Sequence, residues 1–252
     1  MSGDVISIVA AENSDLARFV DAISRLPEQL PDWVLIGGVA VVLRFGGAHR
    51  ATVDIDTLAR ESDRLVELLV GEGGERHASH KFVVPVATEL DVMAVGSIPD
   101  QATVEPSEYA FALAREWAFS TGTLEAVTIV NEQGRVVASA SMRVATTAGL
   151  IALKAVSLPR RADSKNPAKA VSDTIDLLAL IESNAVDELA LSLFSAPIGL
   201  RDWVTSTCQR VFVADRRYTE ARLQARRAMV SPGALNLAAQ LAERLLAGGS
   251  SD

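Results

Sequence analysis

Leu35-Ile36-Gly37-Gly38-Val39-Ala40-Val41-Val42-Leu43-Arg44-Phe45-Gly46-Gly47-Ala48-His49-Arg50-Ala51-Thr52-Val53-Asp54-Ile55-Asp56 decides the fold. The apolar run Trp33 to Ile36 reads as a buried strand. Two glycines end it, residues 39–45 read as a short apolar helix, and Gly46-Gly47 stops that helix. A second strand follows over residues 53–58. Side chains alternate along a strand, so Asp54 and Asp56 project from one face. Two acids on one half-buried face repel each other unless a cation sits between them. An oxygen-only ligand set suits magnesium, which usually keeps substrate phosphates in its shell. Gly37-Gly38 stands where a strand turns into a helix, and bare N–H groups at a helix N-terminus accept a phosphate. The stretch offers a phosphate cradle followed by a metal-binding carboxylate pair. Taken one by one, the same residues would also suit a tight turn followed by an edge strand with solvated aspartates.

The order Gly-Gly, short helix, Arg50-x-Thr52-x-Asp54-Ile55-Asp56 resembles the signature of the polymerase-β-like nucleotidyltransferase superfamily. Its form here, GGVAVVLRFGGAHRATVDID, is similar to the AbiEii branch, which includes toxins of type IV toxin–antitoxin systems and the MenT toxins. The resemblance implies an α+β fold: a polymerase-β-like nucleotidyltransferase domain with a mixed sheet, then an all-helical C-terminal domain. It implies Gly37, Gly38, Arg50 and Thr52 as nucleotide-binding residues and Mg2+, with Mn2+ as the alternative, on Asp54 and Asp56.

Farther along, residues 88–95 read as a strand containing Leu90-Asp91-Val92. An acid within an apolar strand needs a partner or an edge position facing water. The family supplies a third carboxylate from such a strand, which makes Asp91 the third metal ligand and the group that orients or deprotonates the attacking hydroxyl. A helix over residues 107–118, a hairpin across Asn131-Glu132-Gln133-Gly134 and a short strand at Met142-Arg143-Val144 complete a first domain, 1–145.

From Thr146 the pattern becomes helical through residue 252. Thr146-Thr147 opens a helix that Pro159 is expected to end, and residues 160–167 read as a polar linker. Further helices are expected over 169–181, 185–195, 198–213, 216–230 and 233–247. Lys154 falls on the apolar side of the first helix, where it either snorkels or meets an anion. Downstream, Asp173-Thr174-Ile175-Asp176-Leu177 resembles the family's Asp-x-x-Asp-Leu helix. The resemblance makes Lys154 a phosphate contact and Asp173 a catalytic residue, with Asp176 as its substitute or a cap for a neighbour. Family members carry Arg or Lys just before the first of these aspartates; here Ser172 stands there, which moves the basic role to Lys169, Lys165 or Arg161.

Composition limits the remaining classes. The 252 residues hold 24 Lys and Arg against 32 Asp and Glu, a net charge of -8. A general nucleic-acid binder is thereby disfavoured, and an RNA partner requires a local basic surface. Arg216-Arg217, Arg222 and Arg226-Arg227 are that surface or a solvated helix face. One cysteine, Cys208, rules out an internal disulfide and a cysteine zinc site and suits the cytoplasm. No signal peptide or membrane span is expected. The expected activity is nucleotidyl transfer from an NTP to an acceptor hydroxyl. By resemblance, the acceptor is a tRNA 3′ end, and a cognate antitoxin restrains the enzyme. A small-molecule or protein nucleotidyltransferase and a non-catalytic nucleotide-binding module stay open. By family resemblance, a phosphate on Thr52 is a regulatory off switch.

Overall fold

The structure, a computed structural model, describes residues 5–12, 14–25, 31–46, 55–71, 73–77, 81–84, 88–162, 167–226, 228, 230–231 and 233–248. They group into two compact units: Met1–Gly96 with Phe119–Thr146, and Ser97–Ala118 with Thr147–Asp252.

The first unit is built on one eight-stranded mixed sheet. Its strands are β1 (Val5–Val9), β2 (Trp33–Ile36), β3 (Ile55–Ala59), β4 (Glu75–Arg76), β5 (Lys81–Val84), β6 (Thr88–Ala94), β7 (Thr123–Val130) and β8 (Val136–Val144), in the order β1-β7-β8-β2-β3-β6-β5-β4. Helix α1 (Asp15–Ser24) is capped by the Ser14 hydroxyl, which accepts from the Ala17 N–H, and buries Phe19 and Val20 against β7 and β8. Helix α2 (Gly37–Phe45) leaves β2 directly and packs on β2 and β3. Gly46 closes it with φ +79°, the left-handed stop that glycine adopts most easily. Helix α3 (Ser62–Gly71) covers β3, β5 and β6.

Helix α4 (Pro106–Thr121) begins in the second unit, and its last residues belong to the first. The second unit continues with α5 (Thr147–Ala162), α6 (Pro167–Glu182), α7 (Val186–Phe194), α8 (Ile198–Cys208), a π-helical segment (Gln209–Ala214), α9 (Arg216–Ala225) and α10 (Ala234–Gly248). Its core joins Leu150, Ile151 and Val156 of α5 to Leu177, Leu178 and Ile181 of α6, with Phe212 and Leu241 also buried.

The structure departs from the sequence expectation in several places, among them the end of α9 at Ala225 where the sequence predicts a helix to residue 230. Pro159 sits inside α5, which runs to Ala162. Tertiary contacts hold that last turn: Arg160 lies over the Phe111 ring and Arg161 pairs with Asp173. The second hairpin strand and the short strand after it are one strand, β8, paired with β7 along its length past an irregularity at Ile129/Val130. Residues 5–9, not read as a strand, form the sheet edge in parallel with β7. The expected helix over 198–213 changes to π geometry at Gln209. Among the described residues no helix is long and apolar enough to cross a membrane.

Candidate active site

Antiparallel pairing of β2 with β3 sets Ile36 opposite Asp56, and parallel pairing of β3 with β6 sets Asp56 level with Asp91. Residues level in a ladder project to the same face, and neighbouring strands lie about 4.8 Å apart. Asp56 and Asp91 are thus adjacent acids on one face, both half-buried. The Thr57 hydroxyl, from the next position of β3, donates to the Asp91 carbonyl at 3.1 Å and ties the two strands together at this level.

Gly37, the first residue of α2, stands against this pair. Its φ is +71°, and a Cβ built on it would lie 1.9 Å from Asp56 Oδ2 and 2.8 Å from Asp56 Cβ. Both the backbone conformation and the space therefore demand glycine. Gly38 is buried in the first turn of α2, which no side chain caps. The amide groups of that turn and the Asp56 carboxylate thus share one place, where the positive helix end favours negative charge. Adjacent carboxylates beside a turn stripped of side-chain bulk fit a hard divalent cation accompanied by phosphate oxygens. Asp54, Arg50 and Thr52 lie outside the described residues, as does His49. Among the described residues no group of three metal-ligating side chains occurs.

Arg44, which the sequence reading passed over, anchors α2 at its other end. Its Nη1 pairs with Glu125 Oε1 at 2.7 Å, Nη2 donates to Thr123 Oγ1 at 2.7 Å and to the Val144 carbonyl at 3.0 Å, and Nε donates to the Ala145 carbonyl at 2.9 Å. The Arg44 and Glu125 side chains are 16% and 8% exposed, so α2 is fixed to β7 and β8 by a nearly dry guanidinium that makes four hydrogen bonds. The signal was one arginine in an otherwise apolar helix.

In the second unit Lys154, Asp173 and Asp176 meet. Lys154 Nζ donates to Asp173 Oδ1 at 2.8 Å and to Asp176 Oδ2 at 2.6 Å, and Arg161 Nη1 pairs with the other Asp173 oxygen. The Lys154, Asp173 and Asp176 side chains are 11%, 1% and 0% exposed. Lys154 does not snorkel: its amine is held inside by two acids. Asp173 and Asp176, three residues apart on α6, reach the same amine. Arg161 is the base that meets Asp173; Lys169 is exposed and Lys165 lies outside the described residues. Among the described residues the network sets two cations against two acids, and removal of Lys154 would strand the buried carboxylates.

A sheet domain that aims a glycine turn and paired acids at one place, followed by a helical unit, is the plan of a nucleotidyltransferase. The family model described as nucleotidyl transferase AbiEii toxin, type IV TA system, matches residues 18–241. The chain belongs to that family and is a nucleotidyltransferase. No curated protein matches it. Among solved structures it is similar to an antigenic nucleotidyltransferase-like protein from Paracoccidioides brasiliensis, at 19% identity over 88% of this chain and 97% of that one, with a TM-score of 0.49.

Proposed function

We propose that the protein transfers a nucleotide from an NTP to the 3′ hydroxyl of tRNA in the cytoplasm, and that it is the toxin of a pair restrained by a cognate antitoxin. The observation that carries this reading is the approach of Asp56 to Gly37 beside Asp91. The uncapped first turn of α2, opened by Gly37 and Gly38, binds the triphosphate through backbone N–H groups. Asp56 and Asp91, with Asp54, hold Mg2+, or Mn2+ in its place; the bound ion supplies charge neutralisation at the phosphates. Asp91 orients the acceptor hydroxyl and takes its proton. The acceptor oxygen then bonds to the α-phosphorus as the bond to the bridging oxygen breaks and pyrophosphate leaves.

In this reading the helical residues from 146 onward supply Lys154 as a phosphate contact and Asp173 as a catalytic residue. Of the three N–H donors of the Lys154 ammonium, Asp173 and Asp176 take two, which leaves one for a phosphate oxygen. Arg50 and Thr52 contact the nucleotide, and a phosphate on Thr52 would set about 1.5 to 2 negative charges against the incoming triphosphate.

The test is transfer of α-32P label from each of the four nucleotides to total RNA in the presence of magnesium, with Asp56→Asn and Asp91→Asn as controls. Label should appear at RNA 3′ ends with the wild type and be lost with either variant, both of which should remain folded because each removes one of two repelling acids. Label that appears on a small molecule or a protein and never on RNA would overturn the choice of acceptor. Wild-type rates in both variants would overturn the site.

A further inference from the structure

We propose that the cavity between α6, the π-helical segment and α9 is a subsite for one amino-bearing nucleobase, with the phosphate of the same nucleotide held by Arg210 at its mouth. The cavity measures about 180 Å³ and lies within the helical unit. Its inner wall is apolar and buried, from Leu158 at the end of α5, Ala170 and Val171 of α6 and Leu223 of α9. At the rim Arg210, Asp215 and Tyr218 are exposed and Arg222 is half-buried. A water takes roughly 30 Å³ of the liquid, and pockets for drug-sized ligands begin at about 300 Å³. The space therefore suits a single ring, with whatever is attached to the ring left at the rim.

The hydrogen-bonding capacity of the wall is one-sided. Thr174 Oγ1 donates to the Ala170 carbonyl at 2.9 Å and Thr219 Oγ1 donates to the Val211 carbonyl at 2.8 Å, so neither threonine has a hydrogen to offer a guest. The Asp215 carboxylate likewise accepts. A ring that enters has to bring the hydrogens, as the exocyclic amine of cytosine or adenine does. The uracil carbonyl at the same position would face oxygen lone pairs. Tyr218 and Arg222, with the guanidinium carbon 5.4 Å from the ring centroid, stand at the mouth, and a base stacks on either kind of surface. The rim sets two arginines against one acid, which favours an attached anion, and the Arg210 guanidinium matches phosphate oxygens. In a nucleotidyltransferase, an amino-bearing ring with a phosphate attached is a nucleotide. The π-helical segment shapes this rim: the Asp215 N–H closes its wide turn on the Arg210 carbonyl at 2.8 Å, and Thr219 reaches across from α9 to Val211. Such segments are rare and recur at functional sites. Two sources share this ligand chemistry, a free nucleotide and an unpaired residue of the RNA acceptor; the second rests on the RNA reading above.

The experiment titrates the full chain with CMP and with UMP by calorimetry, without magnesium, for the wild type, Arg210→Gln, Val211→Trp and Asp56→Asn. CMP should bind the wild type more tightly than UMP by about tenfold or more. Arg210→Gln should weaken CMP about tenfold, through the loss of one charge-assisted contact. Val211→Trp should abolish binding by filling the space from its half-buried position. Asp56→Asn should bind CMP as the wild type does. If Val211→Trp fails to fold, Arg210→Gln on the exposed rim decides alone. Equal affinity for CMP and UMP, no binding of CMP at millimolar concentration, CMP affinity unaltered in the cavity variants, or CMP affinity lost in Asp56→Asn would each overturn the subsite. Oligocytidylate separates the sources. Displacement of CMP by it, together with slower labelling of RNA by Arg210→Gln, assigns the subsite to the acceptor; no displacement and unchanged labelling assign it to a free nucleotide. A wild type that labels no RNA would overturn the RNA reading and leave the CMP measurements standing.

Discussion

Gly37→Ala and Gly46→Ala form a matched pair that isolates one contact. Both glycines have left-handed φ, +71° and +79°, and both flank α2. A Cβ on Gly46 would meet nothing within 4 Å among the described residues, whereas one on Gly37 would lie 1.9 Å from the Asp56 carboxylate oxygen. The backbone term is common to both and amounts to about 1–2 kcal/mol. The second term falls on Gly37→Ala alone. Asp56 Cβ, at 2.8 Å, prevents relief by side-chain rotation only, so β3 or α2 must shift. Overpacking of this kind adds about 1–3 kcal/mol. At about 2–4 °C per kcal/mol for a chain near this size, Gly46→Ala should melt a few degrees below wild type and Gly37→Ala several degrees lower again. Activity should separate them further, since a displaced Asp56 leaves the site while Gly46→Ala leaves it intact. Thermal melts and label transfer on the two purified variants read both effects. Equal melting temperatures and equal transfer rates would refute the claim that Gly37 exists to admit Asp56.

Lys154→Met keeps the apolar stem and removes the amine, leaving Asp173 and Asp176 buried with Arg161 as the remaining cation among the described residues; it should cost about 3–5 kcal/mol, and a melting temperature equal to wild type would show that Lys154 is only a packing residue. Burial pushes the Cys208 thiol up to about 12, so at pH 8 almost no thiolate exists and a maleimide should label Cys208 only as the protein unfolds; rapid labelling of the native protein would contradict its place in the core. Thr52→Glu should lower transfer sharply while Thr52→Val loses much less, and a glutamate variant as active as wild type would remove the phosphorylation switch.

The Gly-Gly turn and the strands on either side were legible because each is a local pattern: an apolar run, a breaker, a short apolar helix and a second breaker. The level pairing of Asp56 with Asp91 was not, since a register between strands 35 positions apart is set by the whole sheet and leaves no mark on either strand alone. Apart from the family resemblance, Asp91 stands out in the sequence as an acid in apolar company. In the sequence Lys154 reads as an amine that snorkels or meets an anion, and the geometry that lets Asp173 and Asp176 share it depends on how α6 lies on α5. Pro159 misled because its local rule was outweighed by the contacts of Arg160 and Arg161. The π-helical segment carries no breaker or glycine, so the change of hydrogen-bonding period at Gln209 had no local signature.

The two units are interleaved along the chain, and this governs the order in which they are completed during synthesis. When Ala118 leaves the ribosome, the sheet still lacks β7 and β8, which stand between β1 and β2. By then Ser97–Ala118 has emerged without the helices it belongs to, which begin at Thr147. Val5–Val9 waits for a partner more than a hundred residues downstream. Each unit thus spends part of its synthesis with an open apolar face, the period when nascent chains most need shielding. The same interleaving means that no single cut yields two self-sufficient pieces. A break between Thr146 and Thr147 leaves Ser97–Ala118 on the fragment that does not pack it, so the halves should copurify as a noncovalent pair.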